Sequence, residues 1–200
     1  MRNYTPAQYK KAAVIVHGKS ERFLASYIYT NLHLPVRIID SNKGKSSIQI
    51  NGLLKMLSSK PYNSLKTFAE AYSIEYDKKK KILKNFKLFI IMDTDDCSDQ
   101  AREDYISGKM FESSCLNDYI VPIYNSPNLE GVMIKAGIMT KKIPDAQKGS
   151  YYSKVFPINQ APFSNNTLDQ IRILSKKLQE VKETNLLEYV NYCLSLISQV

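Results

Sequence analysis

The chain has 200 residues, 44% hydrophobic and 24% charged, with a formal net charge of +9. That length is enough for one cored domain, or for one domain with a small appendage, and the composition is ordinary for a globular chain. No apolar run approaches the ~18–20 residues needed to span a bilayer, and the opening MRNYTPAQYKK carries charge without the apolar stretch of a secretory leader. Cys97, Cys115 and Cys193 are odd in number and widely spaced, without CxxC or zinc-ligand spacing, and read as reduced thiols of a cytoplasmic protein. The positive charge suits a polyanionic partner, because Lys and Arg gain affinity by releasing counterions from phosphates. The run Lys78-Lys79-Lys80-Lys81 also reads as the solvated face of a helix. The 14 tyrosines offer base stacking or half-buried packing.

In chain order, the compact apolar run 12–16 predicts a fully buried strand ending in a tight turn at His17-Gly18. Ser20 is placed to cap a helix over 21–32, with Phe23, Leu24, Tyr27, Ile28 and Leu32 at helical spacing. A second strand follows at 36–40. The loop 41–46 then leads into a helix carrying Ile48, Ile50, Leu53, Leu54 and Leu57, stopped by Pro61. Residues 64–84 read as helical throughout, ending in the lysine run. The third strand, 87–92, is continuously apolar, so both its faces should be covered, and it ends in Asp93-Thr94-Asp95-Asp96. A polar helical stretch over 99–117 precedes a fourth strand at 119–124, where Pro122 cannot donate to a ladder and so argues for an edge or a bulge. Asn125-Ser126-Pro127-Asn128 is a turn into a helix over 129–138.

Strands alternating with helices give an α/β class: a mainly parallel, Rossmann-like four-stranded sheet flanked by helices, with a C-terminal helical extension. The expected organisation is an α/β domain over 1–140, a connecting segment over 141–166, and a helical pair over 167–200 packed on the same domain and broken near Thr184-Asn185.

Gly18-Lys19-Ser20 has the ending of a phosphate-binding P-loop, but that motif needs a first glycine five residues before Gly18, where Ala13 stands. Gly44-Lys45-Ser46 fails the same test, with Ile39 in that place. What remains is a helix start at which Gly18 and Lys19 can touch a phosphate. In an open parallel sheet, ligands sit outside the carboxyl ends of the strands. Glu21 follows the first strand there, and Asp93 and Asp95 end the third, two apart and on one side if the backbone stays extended. Carboxylates gathered at one edge repel unless a cation sits among them, and Mg²⁺ or Mn²⁺ with carboxylate and phosphate oxygens is the natural occupant. Such a reading requires Glu21, Asp93 and Asp95 to converge within reach of one site with ligands at about 2.1 Å, allowing for side-chain motion in the metal-free state. The plainer reading makes Glu21 a first-turn helix residue favoured by the macrodipole and residues 93–96 a solvated Asx turn.

The strand-Gly-Lys-Ser-Glu-helix segment followed by strand-Asp-x-Asp resembles the Toprim domain of topoisomerases, primases, OLD-type nucleases and small RloB-like proteins, over roughly residues 12–138. The resemblance implies a Toprim-like fold in which Glu21, Asp93 and Asp95 bind divalent metal, with Glu21 alternatively an acid–base group. The segment Asn125-Ser126-Pro127-Asn128-Leu129-Glu130 is similar to the Ser-Asn-Pro-x-Phe-Glu of RloB-like nucleases, which implies that Glu130 joins the acidic cluster; the Ser/Asn order is inverted and Leu129 replaces the aromatic residue. Where relatives begin with Glu-Gly this chain has His17-Gly18, leaving His17 as a ligand, an acid–base group or a packed polar residue.

The expected activity is Mg²⁺- or Mn²⁺-dependent cleavage of DNA or RNA phosphodiesters by Glu21, Asp93 and Asp95, with Glu130 completing a second metal site. Lys19 and Lys45 would neutralise the scissile phosphate. No tyrosine sits in a topoisomerase-like context, and no winged-helix companion is present. The resemblance implies a stand-alone nuclease of restriction or phage defence, or one served by a separately encoded ATPase partner, with no membrane involvement. Two alternatives remain: a non-catalytic Toprim-like module that binds nucleic acid or a partner, and a phosphohydrolase or nucleotidyltransferase acting on small nucleotides. Whether the C-terminal pair caps the sheet or mediates homodimerisation is open.

Overall fold

The apolar run Ala12–Val16 forms β1, and helix α1 (Lys19–Asn31) returns the chain so that β2 (Val36–Ile39) pairs beside it in parallel. The computed structural model describes residues 9–44, 46–158 and 165–197. After α2 (Ile50–Leu57) and α3 (Leu65–Tyr72) comes a small antiparallel hairpin, β3 (Tyr76–Asp77) with β4 (Ile82–Leu83). Strand β5 (Lys87–Asp93) then enters on the other side of β1. Helix α4 (Asp99–Ile106) leads to β6 (Ile120–Asn125), which completes an all-parallel sheet in the order β2-β1-β5-β6. Helices α5 (Leu129–Lys135), α6 (Asp145–Val155), α7 (Asn165–Leu178) and α8 (Leu186–Ile197) follow.

Why the central strands are apolar without alternation is visible in the packing. Val14, Val16, Phe89 and Ile91 point to one core with Leu24, Ile28, Tyr152, Ile171 and Tyr189. Ala13, Ile15, Leu88, Ile90 and Met92 point to the other, against Ile50, Leu53, Phe68 and Tyr105. Helices cover both faces, as fully buried parallel strands require. The C-terminal pair belongs to the first of these cores, through Ile171, Leu174, Leu186 and Val190.

Strand β6 is an edge, which is where Pro122 does no harm to the ladder. Its outer side is not left open. The Asn185 side chain accepts from the Tyr124 amide at 2.9 Å and donates to the Pro122 carbonyl at 2.9 Å. The break between α7 and α8 thus serves as a mock strand.

Several expectations need correction. The helix expected over 64–84 ends at Tyr72, because Ser73 turns left-handed (φ 57) and Ile74 drops into the core. The lysine run is the hairpin turn, held by the Asp77 carboxylate accepting from the Lys79 and Lys80 amides. The stretch 99–117 is helical only to Ile106; Gly108 at φ 79 ends it, and short 3-10 turns follow. Ser20 does not cap α1, because the helix begins one residue before it, at Lys19, with Gly18 in the capping position. The connecting segment 141–166 itself contains α6, packed along α1. Cys97, Cys115 and Cys193 are free thiols. No helix among the described residues is long and apolar enough to cross a membrane.

Candidate active site

Register puts the carboxyl ends of β1 and β5 side by side, Val16 opposite Ile91, with Asp93 opposite Asn125 of β6. The loops that leave these ends enclose a cavity of about 480 Å³, with Glu21, Asp93, Asp95 and Glu130 in its wall. Four of the expected acidic positions therefore meet in one place. Lys19 and Gly18 line it as well, whereas Lys45 lies outside the described residues. Gly44 beside it adopts φ +76 and presses under the start of α1; a Cβ there would come within 3.3 Å of Lys19 Cα.

Glu21 sits in the first turn of α1 and is 1% exposed. Its Oε2 accepts the Gly18 amide at 2.9 Å, satisfying a donor that a helix start otherwise leaves without a partner. Its Oε1 is buried with no hydrogen-bond partner among the described residues. Burial, and then the negative charge of Asp93, push this carboxyl up to about 8. Gly18 therefore does not offer its amide to a phosphate as expected; that N–H already belongs to Glu21.

Asp93 is half-buried at the end of β5. Its Oδ1 accepts the Leu129 amide at 2.9 Å and the Asn125 side-chain amide at 3.2 Å. Burial raises its carboxyl to about 6, while His17 beside it and these two donors pull the other way. Asn125 is in turn held through its Oδ1 by the Thr184 hydroxyl at 3.0 Å. The α7–α8 junction thereby reaches the site through one intermediate residue.

Asp95 arrives differently from expectation. The strand ends at Asp93, and Thr94 folds back, its amide meeting the Asn125 and Pro127 carbonyls at 3.1 and 2.8 Å. Asp95 thus stands in a turn, exposed, with the Asn128 side-chain amide donating to its Oδ2 at 2.9 Å. Asn128 also caps α5, its Oδ1 accepting from Gly131 at 3.0 Å. Glu130 accepts the Ile143 amide and faces Lys148 at 3.9 Å.

Among the described residues, no three His, Cys, Asp or Glu side chains form a ready group of metal ligands. Oxygens of all four carboxylates are engaged by protein donors instead. The donor set itself fits a hard cation, being all oxygen, and the unpartnered Oε1 of Glu21 is what such a cation would satisfy.

Lys148, Ser47 and Asn128 line the same cavity and were not expected in it. Lys148 lies on α6, in a stretch whose sequence shows little helical patterning, so only its fold position marks it. Asn128 carried a usable signal, as an Asn immediately before a helix start. Comparison with protein-family models, curated proteins and solved structures finds no match to this chain.

Proposed function

We propose that the protein is a Mg²⁺- or Mn²⁺-dependent nuclease that cleaves phosphodiester bonds of DNA or RNA in the cytoplasm. The observation that carries this reading is Glu21, whose buried Oε1 has no partner in a cavity shared with Asp93, Asp95 and Glu130. A buried carboxylate beside another is unfavourable unless a proton or a cation joins them. Glu21, Asp93 and Asp95 are the residues that would hold the cation, Asp95 after leaving Asn128, with Glu130 and Lys148 adjoining. When bound, it would polarise a phosphoryl oxygen and activate water for attack.

The chain's own contribution is positional. The Leu129 and Asn125 donors fix the Asp93 carboxylate, and the Gly18 amide fixes Glu21. Lys19 at the cavity mouth supplies positive charge for a phosphate oxygen. The Toprim resemblance, which rests on motif order alone, supports the same roles.

The test is a Mg²⁺ and Mn²⁺ titration with labelled DNA and RNA. Wild type cleaves one of them, and Asp93→Asn, whose side-chain oxygen can still accept from Leu129, loses at least about a hundredfold in rate. Tight binding with no metal-dependent cleavage under any condition assigns a non-catalytic binding module instead. Turnover of small nucleotides without polymer cleavage assigns a phosphohydrolase or nucleotidyltransferase.

A further inference from the structure

Helices α1 and α6 pack alongside each other, and both bring their amino-terminal ends to the cavity. Their seam has three rungs. Tyr27 meets Phe156 with ring centroids 5.6 Å apart, Phe23 meets Tyr152 at 6.3 Å, and nearest the cavity Lys19 meets Gly149. Positions 19, 23 and 27 are four apart and share one face of α1; 149, 152 and 156, three and four apart, share one face of α6 and its C-cap. The two aromatic rungs fix the register, and the register decides what lies under Lys19.

The third rung has no room for a side chain. A Cβ on Gly149 would stand 2.6 Å from Lys19 Nζ and 3.1 Å from its Cε. Glycine inside a helix costs roughly 1 kcal/mol relative to alanine. Gly149 does not have the left-handed backbone that would require it, unlike Gly44, Gly108 and Gly137. The space it leaves is taken by the lysine.

We propose that Gly149 is a positioning residue: a slot in α6 that seats the Lys19 ammonium at the mouth of the cavity, where it takes a phosphate oxygen of a nucleic-acid strand. This rests on reading the cavity as a phosphodiester site. Two helix amino-termini add a partial positive charge at the same mouth, and the buried, unpartnered Glu21 Oε1 marks the adjoining wall as built for a cation, which a phosphate oxygen at Lys19 would share. Replacing Gly149 by alanine displaces the far end of a flexible side chain and leaves the helix backbone unchanged. The fold survives and the ammonium moves.

The experiment is a double-mutant cycle on the full chain, using a short fluorescent DNA duplex and its RNA counterpart in EDTA, with melting temperatures measured in parallel. Lys19→Met weakens binding by about fivefold and lowers the salt slope by about one. Gly149→Ala melts no lower than wild type, yet weakens binding comparably. In the Gly149→Ala background, Lys19→Met changes affinity by less than about twofold, the non-additivity expected of residues acting as one unit. Equal effects of Lys19→Met in both backgrounds overturn the inference, as does wild-type binding by Gly149→Ala, loss of its fold, or failure of wild type to bind either probe. The arms separate the two claims. Coupling without any metal-dependent cleavage keeps the slot and removes the nuclease; cleavage without coupling does the reverse.

Discussion

The Glu21 carboxylate holds the Gly18 amide at 2.9 Å with one oxygen and leaves the other buried without a partner among the described residues. One end of this side chain completes a helix start, and the other waits for a proton or a cation. Because its folded value of about 8 lies above the ordinary 4.5, the folded chain binds more protons than the unfolded one between those limits. Stability therefore carries no penalty from Glu21 at acid pH and declines as pH rises through that window. Asp93, raised from 3.8 to about 6, adds a decline at lower pH. In EDTA the melting temperature should fall between about pH 5 and pH 8, a loss of a few kcal/mol. Glu21→Gln should flatten the profile, and Mg²⁺ or Mn²⁺ should restore the wild type at the alkaline end. A level wild-type profile would sink this account.

Asn128 joins two functions that one substitution separates. Asp caps a helix as well as Asn does, so Asn128→Asp should keep the bond from Gly131 while setting a negative charge against Asp95 instead of a donor. The variant should lose about 1 kcal/mol in EDTA and gain more from added Mg²⁺ than wild type does. Denaturant melts with and without the ion check this; an equal response to Mg²⁺ would mean that Asp95 does not face the cation.

Tyr105 is a structural residue placed behind the site. Its hydroxyl, fully buried, lies within hydrogen-bonding reach of both the Ile90 carbonyl of β5 and the Ile123 carbonyl of β6. Tyr105→Phe should destabilise by about 1–2 kcal/mol in urea melts and leave metal-dependent cleavage per folded molecule unchanged. A lost activity with unchanged stability would contradict the assignment.

The lysine run sits on the hairpin just before β5, at the amino edge of the sheet and away from the carboxylates at its carboxyl edge. Replacing Lys78 to Lys81 by serine should change cleavage at physiological salt by no more than about twofold, since exposed charges beyond a Debye length are screened. A larger loss would bring nucleic acid across that edge. Separately, Asp77→Ala should speed amide exchange at Lys79 and Lys80 by removing their acceptor.

Much of the fold was legible because burial on two faces writes continuous apolar runs. The runs 12–16 and 87–92 read as buried strands, and Pro122 as the mark of an edge or a bulge, of which the sheet order makes it the edge. Where local and tertiary forces compete, the reading failed. Residues 73–84 have helical composition, but Ile74 is drawn into the core and Asp77 closes a turn, so a hairpin wins. Asp93 and Asp95 were placed on one side by strand geometry, whereas a turn through Thr94 delivers Asp95 to the cavity.

By itself, the sequence determined the α/β class, the order of the strands along the chain, and the acidic positions that follow β1, β5 and β6, because each depends on periodicity and neighbours a few residues away. Only the tertiary structure decided that these acids share a cavity and that α6 brings Lys148 and Gly149 to its mouth. Those relations join residues up to some 130 positions apart. They follow from how α1 and α6 pack on one core, which no local pattern encodes.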